Sequence, residues 1–515
     1  MNTLNLLLLS GAGLLLTASL WLWYRRRIGS ALVTLMGASF LLRLLMAALD
    51  PFLHDWDERY HALVAKHLMS HPLAPMLRLD QLLPYDYQAW CCNHIWLHKQ
   101  PLFMWQMALS MAVFGTNELA LRLPSVVLGT LVLYPAYRIG RLLFNADTGY
   151  ALALLLAVAH YQLEQTSGLI GMDHNDVAFG VYITASLWAY YEYRTSRHPT
   201  KWLVLVGVLA GASVLCKWLV GLLVYASWGT AIVLEQPRRV SEYLRLGAAL
   251  LITVVVALPW QLYTAWRFPL ESSYERAYNS RHFGEALEGH SAAWYYHLNL
   301  LPLHYGWVLL GLMLLGFAIA AYRGWLLRLL PLLVAVLAVY TLFSLAATKM
   351  YSYTYVVSSV LLLLAALPVA AAWQWLRQAP SKAGIAGAVL LGATVVLFSL
   401  RPAEVYSNHL DEGVDHPFWP TAGRAARLNN AVIYRQLDRD VPAGYVVFNA
   451  LGGDEITAMF YANRPVYSWW PSQAQVQRLQ ALGWHIAYFP DHHDQHPPDY
   501  IRQAPGALPL WGQLQ

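Results

Sequence analysis

The run 31–49, ALVTLMGASFLLRLLMAAL, is followed closely by His54-Asp55-Trp56-Asp57-Glu58-Arg59-Tyr60. A run of that length and apolarity is what one helix needs to cross a bilayer. Three carboxylates within four positions at its end are costly beside lipid and mark a site or a cap. Asp55 is placed to cap a helix, with Glu58 reaching back to complete a capping box. Asp57 is not used up by that arrangement. A helix over 58–69 would put Tyr60, Val64 and Leu68 on one face, with His61 and Ala65 beside it. Such a helix would lie in the membrane interface.

Further out, the same pattern repeats. The chain has 515 residues, of which 58% are hydrophobic and 12% charged. That balance excludes an ordinary soluble domain. It predicts an all-α polytopic membrane protein of about twelve spans. The runs fall at 4–23, 31–49, 121–137, 150–165, 177–193, 202–216, 218–234, 246–266, 303–322, 329–347, 355–375 and 383–400. The piece 101–115 is short and begins with Pro101, so it is expected to lie in the interface or to re-enter it. The first run lacks a basic leader and ends in Arg25-Arg26-Arg27, as a membrane segment with a stop does and a cleavable signal does not.

The net charge is +5, and the basic residues gather in short loops, which sets orientation rather than suggesting nucleic acid. Counting spans from Arg25-Arg26-Arg27 puts the basic clusters inside. It puts Asp55/Asp57/Glu58, His98/Lys99, Asp173/Asp176, Lys217, Arg281 and Lys349 together outside. The 22 Trp and 32 Tyr suit interfacial belts first and stacking on sugar rings second.

Residues 1–400 thus read as a transmembrane domain whose outer loop, 50–100, carries the acidic cluster. Residues 401–515 are more polar and carry turn signals. Strands are expected at 445–449, 465–469 and 484–489, helices at 454–462 and 472–482, and an irregular tail at 490–515. This alternation predicts a small extracytoplasmic α/β domain.

The residues with chemistry gather on the outer side. Asp57, beside apolar Trp56, is a candidate general base for a hydroxyl proton. Glu58 stands next to it. Asp173-His174-Asn175-Asp176 is either a second acidic wall or an ordinary turn. Lys99 precedes Pro101, which is pre-organised to start a helix, so the lysine and the helix's free amides both suit a phosphate; a lysine snorkelling to lipid headgroups is the alternative. Lys217 interrupts a long apolar run and should line a cavity or snorkel. Arg281, Lys349 and Tyr353 add to the same side. Cys91, Cys92, His94 and His98 form a possible cluster for a divalent metal, but their spacing matches no zinc pattern. Adjacent cysteines favour neither an ordinary disulfide nor a redox pair. Cys216 reads as packing, and Arg43 and Glu164 as buried partners of groups not evident in the sequence.

The ordered series resembles the GT-C glycosyltransferases of the protein-mannosyltransferase superfamily, nearest to the bacterial aminoarabinose-transferase-like branch. Asp57-Glu58 is similar to the family's Asp-Glu pair. Lys99-Gln100-Pro101-Leu102 is similar to its Lys-Pro-Pro-Leu, and Phe114-Gly115-Thr116-Asn117-Glu118 with Arg122-Leu123-Pro124-Ser125 to its Phe-Gly-x-Asn-Glu and Arg-Leu-Pro-Ser. Cys216-Lys217-Trp218 is similar to a Thr-Lys-Gly. Pro259-Trp260, Trp294-Tyr295-Tyr296 and Lys349 to Tyr353 follow in order. The resemblance covers roughly 50–360. It implies Asp57 as base, with Lys99, Arg281 and Tyr353 on the lipid phosphate.

The departures are Gln100 for a Pro, Trp218 for a Gly, His98 for a Glu and Tyr278 for a His. The last two bear on a metal site and on the sugar of that branch. The implied activity is inverting transfer of a sugar from a polyprenyl-phosphate (undecaprenyl-type) donor to a hydroxyl acceptor on lipid, glycan or protein. Its setting would be the outer face of a bacterial inner membrane, as in lipopolysaccharide or other cell-envelope glycan modification. The alternatives are a flippase for a lipid-linked sugar, which should show paired repeats, and an en bloc oligosaccharide ligase.

Overall fold

The computed structural model describes residues 3–169, 174–379, 381–410, 423–490, 496–512 and 514. In hydrocarbon a backbone must satisfy its own hydrogen bonds, so apolar runs close into helices. Among the described residues nine helical segments are long and apolar enough to cross a membrane. The chain is an integral membrane protein.

About twelve spans were expected, and the difference has three sources. The segment Pro199–Leu234 meets the length criterion as one piece of 36 residues. It is a hairpin. Lys217 bonds Asp176 in the first turn of helix His174–Thr195, whereas Glu235 pairs with Arg194 in its last turn. Those turns are about 30 Å apart at 1.5 Å per residue, so Pro199–Lys217 and Leu223–Leu234 run in opposite directions. Helix His174–Thr195 itself crosses but is too polar to count by composition. Helices Ala146–Val158 and His160–Ser167 make one more crossing, broken at Ala159 (ψ 128°). Counted by the ends they connect, the described helices make twelve traverses.

The break at Ala159 explains Arg43. Its guanidinium donates to the carbonyls of Leu156 (2.9 Å) and Gln162 (2.9 Å) and to Thr166 Oγ1 (2.7 Å). A kinked helix leaves carbonyls without partners, and a buried arginine supplies them. Glu164 meets His409 (3.1 Å), which also bonds Asp50 (2.6 Å). Both buried charges therefore join the helices to one another and to the C-terminal segment.

The bundle has two unlike ends. Arg138–Glu192, Arg194–Glu235, Arg377–Asp147 and Arg328 on the Leu143 carbonyl lie at one end. Asp57, Glu58, Lys99, Asp176 and Lys217 lie at the other. Helix Leu102–Phe114 starts beside Lys99 and is followed by Glu118, which is bound to Arg435 and Tyr461. Both of its ends are at the same end of the bundle, so it does not cross.

The helix after the acidic cluster is Asp57–Leu68, and it is buried on nearly every face. The expected interfacial helix is thereby corrected: helices Leu102–Phe114 and Asp454–Tyr461 cover it. The expected capping box is absent as well. Trp56 occupies the cap without a side-chain bond, Asp55 pairs with Arg59 (3.7 Å), and Glu58 reaches back to the His54 amide (2.6 Å).

The C-terminal part carries a parallel sheet of β1 (Tyr445–Phe448), β2 (His485–Tyr488) and β3 (Leu508–Pro509), in that order. The expected strand at 465–469 reduces to a parallel bridge of Val466 on Val447 at the free edge of β1. Helices Asp454–Tyr461 and Gln473–Ala481 fall at the expected 454–462 and 472–482, the second with a capping box on Ser472. The expected irregular tail instead supplies helix Asp499–Arg502 and β3. This part docks on the site end of the bundle. Lys66 Nζ donates to the carbonyls of Met459, Phe460 and Ala462 (2.9, 2.8 and 3.2 Å), closing the C-terminus of helix Asp454–Tyr461. Arg424 on Asp50, Arg435 on Glu118 and Arg59 on Asp454 complete the contact.

Candidate active site

Glu58 is the structural centre of the site. It is fully buried, and Arg122, also fully buried, grips it through Nε to Oε1 (2.7 Å) and Nη2 to Oε2 (2.9 Å). His174 Nε2 lies 2.8 Å from Oε1 and His54 Nδ1 3.0 Å from Oε2. Burial pushes the Glu58 carboxyl up, but Arg122, His54 and His174 together outweigh it and hold it well below the ordinary carboxylate range. Arg122 also donates to the carbonyls of Ala47, Asp50 and Phe52 (3.0, 2.6 and 2.7 Å). One ion pair thus fixes the end of helix Ile28–Ala48, the acidic loop and the start of helix His174–Thr195. Glu58, expected beside Asp57 as a catalytic group, does not line the cavity. Its geometry is that of a clamp.

With Glu58 pinned, the turn that leads into it is forced. Trp56 has φ 60° and ψ −128°, a left-handed conformation that a tryptophan rarely adopts. Such a residue costs about 1–3 kcal/mol and persists only where surrounding contacts over-determine it. The turn carries Asp57 into a cavity of about 220 Å3, lined also by Lys99, Gln100, Asn175, Lys217, Trp218 and Tyr353. Lys99 Nζ lies 3.3 Å from Asp57 Oδ2. Lys217 Nζ bonds Asp176 Oδ1 (2.6 Å) and stands 5.2 Å from the centre of the Tyr353 ring. Asp176 Oδ2 accepts from Ser352. Trp218, which directly follows Lys217, is also left-handed at φ 58°. That φ suits the Gly of the motif it resembles.

Asp57, Lys99, Lys217 and Tyr353 therefore converge on one cavity, with Asp176 holding Lys217 at its wall. Asp173 lies outside the described residues. Two expected phosphate ligands are elsewhere. Arg281 pairs with Glu285 (2.7 Å) at the surface, each about half exposed (49% and 53%). Lys349 donates to the carbonyls of Phe343 (3.1 Å), Ser344 (2.8 Å) and Ala346, and so caps helix Leu326–Leu345. A cation at a helix C-terminus satisfies carbonyls that have no partner in the helix. His282 lines the cavity, but burial pushes its imidazole down to about 4, so it is neutral at pH 7. The lysines among the lining residues are Lys99 and Lys217.

The expected metal cluster does not assemble. His98 Nδ1 is 3.1 Å from Glu275 Oε2 and its ring stacks on Trp90, whereas His94 lies against Tyr85. Among the described residues no group of three or more His, Cys, Asp or Glu is placed to hold a metal ion. The residues present do not fit the metal site of the resembled branch.

Sequence reasoning overlooked Arg122, His54, His174 and Glu275. Arg122 had a signal, since it sits in the Arg-Leu-Pro-Ser motif, but nothing in its own neighbourhood named a carboxylate 64 positions away as its partner.

The family model described as dolichyl-phosphate-mannose-protein mannosyltransferase matches residues 98–263. An undecaprenyl phosphate-alpha-4-amino-4-deoxy-L-arabinose arabinosyl transferase of Pseudomonas aeruginosa is 32% identical over 212 residues, 38% of this chain and 36% of the relative. One from Pseudomonas fluorescens is 27% identical over 220 residues, 40% and 38% of the two chains. The matched stretch thus spans little more than a third of either relative's length. Among solved structures, ArnT from Cupriavidus metallidurans bound to undecaprenyl phosphate matches with a TM-score of 0.61 at 14% identity, covering 93% of this chain and 89% of that one. The Archaeoglobus fulgidus oligosaccharyltransferase matches with a TM-score of 0.56 at 14% identity, covering 84% and 62%. The chain shares the fold of these solved structures, and its residues 98–263 are similar in sequence to the mannosyltransferase family model.

Proposed function

We propose that the chain is an inverting glycosyltransferase that moves one sugar from a polyprenyl-phosphate donor to a hydroxyl acceptor. The observation that carries this reading is the convergence of Asp57, Lys99 and Lys217 on one cavity at a membrane-helix end. The relatives' names include an undecaprenyl-phosphate-linked sugar, which has the same donor chemistry. Lys99 and Lys217 stabilise the phosphate as the bond between the anomeric carbon and its oxygen breaks. The acceptor oxygen attacks that carbon from the opposite face and its proton passes to Asp57. A donor phosphate competes with Asp57 for Lys99, so donor binding frees the carboxylate when it is needed. A cavity of about 220 Å3 has room for the phosphate and the sugar attached to it.

Residues 1–400 act as the transmembrane catalytic domain and 401–515 as an extracytoplasmic domain. The end rich in arginine faces the cytoplasm by the charge bias of membrane loops, so the cavity opens on the outer, periplasmic side of a bacterial inner membrane. The natural setting for such chemistry is cell-envelope glycan or lipopolysaccharide modification. A reporter fused after residue 515 should be accessible from outside, and a cysteine placed at Arg26 only from inside. Cytoplasmic labelling of the C-terminal part would reverse the site's side.

The reaction is tested by incubating purified protein with a panel of polyprenyl-phosphate sugars. Free lipid phosphate and a product one sugar heavier than the acceptor are expected. A product carrying many sugars would favour the en bloc ligase. Movement of an intact donor across the bilayer, without release of lipid phosphate, would favour the flippase.

The phosphate clamp is tested separately. Lys99→Ala and Lys217→Ala should each weaken donor binding by roughly tenfold or more, the scale of one charge-assisted hydrogen bond. Arg281→Ala should stay within a few-fold, as an exposed pair does. Lys349→Ala should lower the melting temperature and leave donor affinity alone. Equal donor affinity in both Lys99→Ala and Lys217→Ala would put the clamp elsewhere.

A further inference from the structure

The geometry points to Asn175 as the residue that reads the hydroxyl groups of the donor's sugar, a role that rests on the glycosyl-transfer reading above. Asn175 is 1% exposed and lines the same cavity as Asp57, Lys99 and Lys217. Neither its Oδ1 nor its Nδ2 has a hydrogen-bond partner among the described residues. A buried carboxamide with both groups unsatisfied is unfavourable, and native structures keep few of them without a reason.

The backbone that carries the amide is held in place. It lies in the first turn of helix His174–Thr195, between two residues that are tied down. His174 Nε2 is on Glu58 (2.8 Å), and Asp176 Oδ1 accepts from Lys217 (2.6 Å). These two bonds set the rotation of the helix end, and with it the direction of residue 175. The position is thus pre-organised by the clamp on one side and by the phosphate-binding lysine on the other.

The chemistry of the amide selects its ligand. A carboxamide presents two donors on nitrogen and one acceptor on oxygen. A phosphate only accepts, so it would leave Oδ1 unpaired, and the two lysines already serve it. Two neighbouring hydroxyls of a sugar ring match the amide, one donating to Oδ1 and one accepting from Nδ2. Trp218, which also lines the cavity, offers ring surface to the apolar face of such a sugar.

The test compares the binding of the full chain to bare undecaprenyl phosphate and to the same lipid phosphate carrying one sugar. The wild type should prefer the glycosylated lipid by roughly tenfold or more, the worth of one or two hydrogen bonds. Asn175→Ala should bring that preference to within about twofold of unity and leave affinity for the bare lipid phosphate unchanged. Asn175→Ser, which keeps one hydroxyl, should fall between. Because no hydrogen bond among the described residues is lost, the melting temperature of Asn175→Ala should be no lower than the parent's. An unchanged preference in Asn175→Ala would overturn the inference. So would a fall in melting temperature with both affinities reduced together, which is what a structural amide would show, or a wild type indifferent to the sugar. If the preference is present and depends on Asn175 but no sugar is ever transferred, sugar reading stands and the transferase reading falls.

Discussion

Asp57→Asn should lower single-turnover sugar transfer at saturating donor by roughly 10²–10⁴, the usual share of general acid–base catalysis. The substitution keeps size and removes the proton acceptor. Asp57 is the first residue of helix Asp57–Leu68, and its side chain caps nothing. The effect therefore cannot come from losing a cap. Among the described residues its ion pair is with Lys99, at 3.3 Å, and both side chains are about 15% exposed (15% and 14%). Removing the carboxylate takes away one competitor of the donor phosphate for Lys99, so donor binding should be unchanged or tighter while turnover collapses. That opposite movement of affinity and rate separates a base from a structural contact. Asp55→Asn is the control and should cost little, since Asp55 meets only Arg59 at 3.7 Å. Asp176→Asn should weaken donor binding instead, by loosening Lys217. A folded Asp57→Asn protein that turns over within a few-fold of wild type would remove Asp57 from the mechanism.

The largest effect on stability is expected at the clamp. Arg122→Ala leaves Glu58 charged and buried without its main partner, and breaking a buried pair in this way costs about 3–5 kcal/mol. Arg122 also holds three backbone carbonyls, of Ala47, Asp50 and Phe52, so the loop that presents Asp57 should lose its shape as well. The expected result is a large drop in melting temperature and in folded yield, with no transfer activity in what remains. Glu58→Gln should be milder than Arg122→Ala yet still destabilising, because the bidentate charge is lost but one hydrogen bond can persist. The double variant Arg122→Met/Glu58→Leu should be more stable than Arg122→Ala, since replacing a buried pair with apolar groups removes the uncompensated charge. It should nonetheless be inactive, because nothing then holds Trp56 in its left-handed turn. An Arg122→Ala protein with the parent's melting temperature would show that the clamp is dispensable.

Both predictions depend on the division of labour between Asp57 and Glu58. The two are adjacent in sequence and identical in kind, and both stood as candidates on the same motif. The structure turns them in opposite directions. Glu58 goes inward to Arg122, His54 and His174, and Asp57 goes to the cavity with Lys99. The four lysine and arginine candidates divide in the same way. Lys99 and Lys217 reach the cavity; Lys349 turns back onto its own helix end and Arg281 onto a neighbour four residues along. For Lys349 and Arg281 the competing partner was local.

By itself the sequence determined what depends on composition and period. Runs of apolar residues must become helices where water is absent, because only a helix satisfies its backbone internally. Their lengths, the arginines that stop them and the Pro that starts the non-crossing piece 101–115 therefore set the helices and the shared end of the polar clusters. Turn and capping signals set the small α/β part in the same local way, as at Ser472. Tertiary structure alone decided which charges meet. A charge withdrawn from water must find an opposite charge or a carbonyl at hydrogen-bond distance, and that partner lies 64 residues away for Glu58 and 41 for Lys217. No local pattern encodes such a distance. The clamp and the cavity exist only once the helices are side by side.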